Sequence, residues 1–133
     1  MTYKFSEFPG IDHNHVTKLR GVGIETTDDM MRIWADELKR PSLVEKTGIS
    51  LEQFAKLASM ARLARVNNVG TKYVAALLAA GIDGPKSLFE YTPESLVKRL
   101  GEVRDEKKLT VDVPQLSDVA GWFTDVRPMA ARA

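Results

Sequence analysis

The chain has 133 residues, 44% hydrophobic and 28% charged, which suits a packed core and excludes wholesale disorder. Its 19 Lys and Arg stand against 18 Asp and Glu, so a uniformly basic nucleic-acid coat is excluded and any such contact must come from a local patch. Without cysteine there is no disulfide framework, thiolate metal site or cysteine nucleophile; with no long apolar run and no signal-like start, a soluble cytoplasmic protein that avoids membranes is expected.

Tyr3, Phe5 and Phe8 precede Pro9-Gly10 and predict a short helical turn whose aromatics pin the N-terminus to the core. Gly10-Ile11-Asp12 then leads into a helix through Val16, Leu19 and Arg20 that stops at Gly21 or Gly23. Thr26 or Thr27 caps the next helix, with Asp28 and Asp29 in its first turn, where the macrodipole favours negative charge. Met30, Met31, Trp34 and Leu38 fall on one stripe, and Pro41 is expected to end the helix. Ser42-Leu43-Val44-Glu45 has capping-box spacing and predicts a short helix closed by Gly48. Ser50 to Gln53 repeats that pattern and opens what reads as the longest helix, 51–65, with Leu51, Phe54, Leu57, Ala58, Ala61 and Ala64 inward.

The stretch Val66–Leu88 organises the rest. A turn on Asn68-Val69-Gly70 leads into a short helix, then Gly81-Ile82, a second turn and a helix start near Ser87. Glycine and asparagine are the residues that reach positive φ at little cost. Thr92-Pro93-Glu94 is a strong helix start with Leu96, Val97, Leu100 and Val103 as its apolar face, weakened by Gly101 in mid-helix. Leu109–Val113 alternates as a short extended segment would, and Ser117 or Asp118 opens a last helix. Shifting the sequence by 58 positions lays Phe8 on Val66, Ile11 on Val69, Val16 on Val74, Leu19 on Leu77, Gly23 on Gly81 and Met30 on Leu88, the pattern of an internal duplication.

The set Gly10-Ile11, Leu19 and Gly23-Ile24, then Thr47-Gly48-Ile49-Ser50, then Val69-Gly70, Tyr73, Leu77 and Ala80-Gly81-Ile82, resembles a bacterial family of paired helix-hairpin-helix domains of unknown function. The run from Pro93-Glu94 to Lys107-Lys108-Leu109, with Pro114 and Trp122, extends the likeness over nearly the whole chain. The units are also similar to the small helical domains of recombinases and the C-terminal domain of the RNA polymerase alpha subunit. The resemblance implies an all-α fold whose hairpins hold DNA without sequence preference or serve as protein-docking modules. The expected arrangement is one domain over 1–133: pseudo-repeat units at 5–47 and 48–108 sharing one core, with a C-terminal cap at 109–126.

In a phosphate-binding hairpin, the turn and the helix start after it aim backbone N–H groups at an anion. Each hairpin here has kept only one of two glycines. In the second, Asn68, Val69, Gly70 and Thr71 form the turn, with Lys72 just beyond it and Arg62 and Arg65 on the preceding arm, so these seven residues are the candidate nucleic-acid site. In the first, Asp12 occupies the end of the turn, and a carboxylate about 4 Å from a phosphate costs on the order of 1 kcal/mol even in water. Asp12, His13 and His15 invite a metal reading, but Asp12 suits an N-cap and histidines two apart on a helix diverge, so no metal is expected.

Adjacent Trp122 and Phe123 cannot point the same way on a helix, which makes one of them a candidate interface residue. There is no Walker loop, GxSxG elbow or HExxH, so the expectation is a non-enzymatic module with no cofactor and no evident small-molecule substrate. Its partner is expected to be a DNA or RNA backbone or, alternatively, another protein, with the hairpin fold acting as scaffold.

Overall fold

The computed structural model describes residues 2–66, 68–109 and 112–123, so the predicted extended segment at 109–113 and the end of the cap to 126 lie partly outside them. The described residues are all-α. The helices are α1 (His13–Arg20), α2 (Thr27–Trp34), α3 (Arg40–Thr47), α4 (Leu51–Ala64), α5 (Val74–Ala79), α6 (Pro85–Leu88), α7 (Pro93–Lys107) and α8 (Leu116–Phe123). Two 3-10 turns, Phe5–Glu7 and Glu37–Lys39, join them. Among these residues no helix is long and apolar enough to cross a membrane.

The N-terminal aromatics are anchored as their composition predicts. Phe5 and Phe8 are buried with ring centroids 5.6 Å apart. The Tyr3 N–H donates to Thr27 Oγ1 at 3.1 Å and the Thr27 N–H returns a bond to the Tyr3 carbonyl at 2.8 Å. α2 packs chiefly on α4, where Trp34 and Phe54 stack at 5.1 Å with rings 5° from parallel. The Arg40 guanidinium covers the other side of Trp34, 4.3 Å from its ring, and its Nε donates to the Trp34 carbonyl at 2.9 Å. α5 bridges α4 and α7, and α8 lies on α7. Buried side chains from Phe5 to Trp122 form one contiguous cluster, which holds Phe54, Leu57, Leu77, Leu96 and Leu100 at its centre and leaves Leu78 half-buried at its edge.

Local chemistry overrides the sequence pattern at several points. α2 stops at Trp34, because the Asp36 carboxylate accepts the Leu38 N–H at 3.1 Å and caps a 3-10 turn instead of letting the helix run on. Leu38 therefore leaves the apolar stripe and is 91% exposed. Pro41 does not end a helix; it sits in the first turn of α3, where a missing N–H goes unused. The Ser42 capping box does not form, since the 3-10 turn runs directly into α3 with Lys39 at the cap position. Leu51, the first residue of α4, faces out at 56% exposure, whereas Leu63, absent from the predicted inner face, is fully buried. The longest helix is α7, with 15 residues against 14 for α4, and Gly101 does not interrupt it. The helix start expected near Ser87 comes earlier, with Pro85 at the first position of α6.

The helix stops follow one geometry. Gly23 and Gly81 have φ of 82° and 81°. The Ile24 N–H reaches back to the Leu19 carbonyl at 2.9 Å, and the Ile82 N–H to the Leu77 carbonyl at 3.0 Å. The third instance uses Lys108, at φ 52°, with the Leu109 N–H on the Arg104 carbonyl at 2.9 Å. All three satisfy carbonyls that a helix end otherwise leaves open, and the two glycine stops turn Ile24 and Ile82 back into the core.

Two glycines with opposite roles give the first test. Gly81 needs a left-handed backbone, so Gly81→Ala is expected to lower stability by about 1–2 kcal/mol. Gly101 is helical and a Cβ there meets nothing within 4 Å, so Gly101→Ala is expected to raise stability by about 0.5–1 kcal/mol. Urea unfolding followed by circular dichroism reads both; equal effects would contradict the assigned geometry.

Asp29 gives the second. Its carboxylate accepts the backbone N–H groups of Glu25 and Thr26, each at 3.0 Å, and also pairs with Arg32 at 3.2 Å. The Glu25 bond above all, then the Thr26 bond, holds its pKa below 3.8 against the opposing effect of burial. A depressed folded pKa contributes stability that is present above about pH 4 and lost as pH falls through the folded value. Asp29→Asn should therefore flatten the acid limb of the stability–pH profile, and an unchanged limb would show that Asp29 is not a source of it.

Candidate nucleic-acid interface

The two hairpins begin alike and then part. Gly10 and Asn68, 58 residues apart, have φ of 75° and 67°. The Ile11 N–H donates to the Phe8 carbonyl at 3.2 Å, and the Val69 N–H to the Val66 carbonyl at 3.1 Å. Asn68 thus takes the left-handed conformation that glycine supplies in the first turn. At the next step the residues differ in kind. Asp12 is extended, its Oδ1 accepts the Asn14 N–H at 2.8 Å, and α1 starts immediately. Gly70 has no side chain to cap with and instead turns left-handed at φ 63°, so Thr71, Lys72 and Tyr73 stay in turns and α5 starts only at Val74. From there the correspondence resumes, with Val16 and Val74, Leu19 and Leu77, Ile24 and Ile82, and Met30 and Leu88 buried in pairs.

This delay leaves the second turn open. Among the described residues, no hydrogen bond takes the backbone N–H of Gly70, Thr71 or Lys72. Lys72 is exposed with its Nζ 5.4 Å from the Tyr73 ring centroid. Val69 is buried and anchors the turn from inside. The flanking cations are less available than their spacing suggests. Arg65 Nε lies 3.2 Å from Asp28 Oδ1, tying α4 to α2. The half-buried stem of Arg62 lies over Gly84, where a Cβ would come within 3.3 Å of its Cδ. Of the three cations, Lys72 is nearest in sequence to the open N–H groups and has no carboxylate partner among the described residues.

The C-terminal helix fastens the turn from the other side. Trp122 is 1% exposed, its indole Nε1 donates to the Asn68 carbonyl at 3.1 Å, and Asn68 Nδ2 donates to the Gly121 carbonyl at 3.3 Å. Tyr73 lies 5.7 Å from the Trp122 ring and its hydroxyl donates to Asp118 at 3.4 Å. Trp122 is therefore a core residue and is removed from the candidate interface, because its one polar atom is already satisfied inside the protein. Phe123 is half-buried, edge-on to Phe89 at 5.3 Å. Sequence periodicity could not reveal this lock, since its partners lie 45 to 54 residues apart.

The lock predicts graded losses. Trp122→Phe removes the indole hydrogen bond and part of the buried ring and is expected to cost about 1–3 kcal/mol. Trp122→Ala also empties a large core volume and is expected to cost about 3–5 kcal/mol, lowering the melting temperature by many degrees. A Trp122→Ala variant with unchanged melting temperature would return this residue to the surface.

Residues 9–128 match the family described as "Domain of unknown function (DUF4332)", and the chain belongs to it. No curated protein and no solved structure matches the chain.

Proposed function

Taking that membership as the premise, we propose that the protein is a non-enzymatic binding module. Two pseudo-repeated helix-hairpin-helix units share one core, capped by the C-terminal helix. The second hairpin contacts nucleic-acid backbone weakly and without sequence preference. One observation carries this reading: at the positive-φ turn of Asn68 and Gly70, the N–H groups of Gly70, Thr71 and Lys72 have no acceptor among the described residues, and the exposed Lys72 has no carboxylate partner there. Successive N–H groups in such a turn form a concavity that suits a phosphate oxygen. Trp122 and Asn68 hold that concavity in shape before any ligand arrives, which lowers the ordering cost of binding.

The first hairpin works differently. Asp12 spends its carboxylate on the cap of α1 and repels a phosphate at the position where Gly70 leaves the second turn open. With Arg65 held by Asp28, the footprint is small. A second reading, a protein-interaction or scaffold module, draws support from the near-zero net charge and from Leu38 and Leu51, two large apolar side chains exposed on the 3-10 turn and the start of α4.

A footprint of this size is expected to bind short duplexes with Kd of roughly 10⁻⁴ to 10⁻⁶ M at physiological salt. Lys72→Ala should weaken binding equally across sequences and reduce the salt slope by about one unit. Asp12→Asn, which keeps the cap and removes the charge, should strengthen binding. Fluorescence anisotropy with labelled duplexes at low and moderate salt measures all three proteins. Absence of wild-type binding at low salt, or Lys72→Ala indistinguishable from wild type, would reject the nucleic-acid reading in favour of the scaffold one.

A further inference from the structure

A cavity of about 270 Å³ opens between the first hairpin, α4 and the start of α5. Phe8, Leu57 and Val74, all buried, make its floor. Ile11, Met60 and Leu78 form half-buried walls. This explains why Leu78, on the inward side of α5, is not enclosed by the core. The volume lies just under the roughly 300–1,000 Å³ of drug-sized ligand sites, so a fragment-sized body fits.

The rim decides the ligand's polar end. Asp12 and Lys56 both lie there, with His15, Gln53 and Thr71. The Asp12 carboxylate accepts the Asn14 N–H at the start of α1 and keeps its negative charge, so an anionic group is placed at the Lys56 side of the rim, away from α1. The Lys56 ammonium makes no ion pair or hydrogen bond among the described residues. From an apolar body of this size beneath an uncompensated ammonium, we infer that the groove binds a small amphipathic carboxylate, with an unbranched or aromatic apolar part seated on Leu57 and Val74 and its carboxylate at Lys56. Met60, unbranched and adaptable, lets the wall close on tails of different shape.

Titration of the full-length ¹⁵N-labelled protein with sodium octanoate, sodium butyrate and 1-octanol tests the inference by NMR. Octanoate is expected to give saturable shifts in the low-millimolar range, confined to the backbone of Ile11, Lys56, Met60, Ala75 and their neighbours. Butyrate is expected to bind more weakly by about fourfold for each methylene that no longer enters the cavity. Lys56→Gln should weaken octanoate about two- to fivefold and leave octanol unchanged. Ala75→Trp, at an exposed position on the groove's edge, should fill the cavity and abolish both without loss of helicity. Shifts that fail to saturate, that scatter over the surface, or that survive Ala75→Trp would overturn the site. Equal octanoate affinity in wild type and Lys56→Gln would overturn the carboxylate assignment. The two readings fail separately: Lys72→Ala is expected to leave octanoate binding unchanged and Lys56→Gln to leave duplex binding unchanged, since Lys72 is outside the groove and Lys56 outside the second hairpin.

Discussion

The bond from the Ile82 N–H to the Leu77 carbonyl, 3.0 Å long, shows what this architecture depends on. Apart from α4 and α7, its helices have eight residues or fewer, too few to be stable in water without packing. Each must therefore end at a defined residue and turn an apolar side chain straight back into the core. A left-handed residue one to three positions past the helix closes it at Gly23, Gly81 and Lys108, and at the first two the next residue, Ile24 or Ile82, is turned inward. Ile24 and Ile82 are at most 1% exposed, so the stops and the core are parts of one device.

The turns at Gly10–Asp12 and Asn68–Gly70 show how one side chain redirects a chain. Asp12 can accept an N–H and so starts a helix; Gly70 cannot, and the chain spends three more residues before α5 begins. In the first turn Asp12 Oδ1 takes the Asn14 N–H and leaves those of Asp12 and His13 without an acceptor among the described residues, while in the second the N–H groups of Gly70, Thr71 and Lys72 all lack one. The C-terminal helix reinforces that difference, since its indole bond to Asn68 fixes the second turn alone.

Trp34 illustrates the same economy in the core. It is stacked on Phe54, covered by Arg40 and followed at once by a chain reversal capped by Asp36. The reversal is what throws Leu38 to the surface, although its spacing from Trp34 is helical. Leu51 is outside because it opens α4 rather than continuing it, and its neighbours across the surface are Pro41 and Val44 rather than core.

Much of the secondary structure was legible in the sequence because it is written in local chemistry. Capping residues at Thr26, Ser50 and Thr92, glycines at 23, 48 and 81, and apolar spacing within each helix determine the helices and most of their inner faces from residues a few positions apart. The left-handed turn at Asn68 and Gly70 was readable for the same reason. Tertiary structure alone decided what those elements do to one another. It buried Trp122 against Asn68, tied Arg65 to Asp28, drew Arg62 over Gly84 and assembled a groove from three separate segments. These contacts join residues far apart in the chain, and no periodicity records them, because a side chain's availability depends on which distant partner reaches it first.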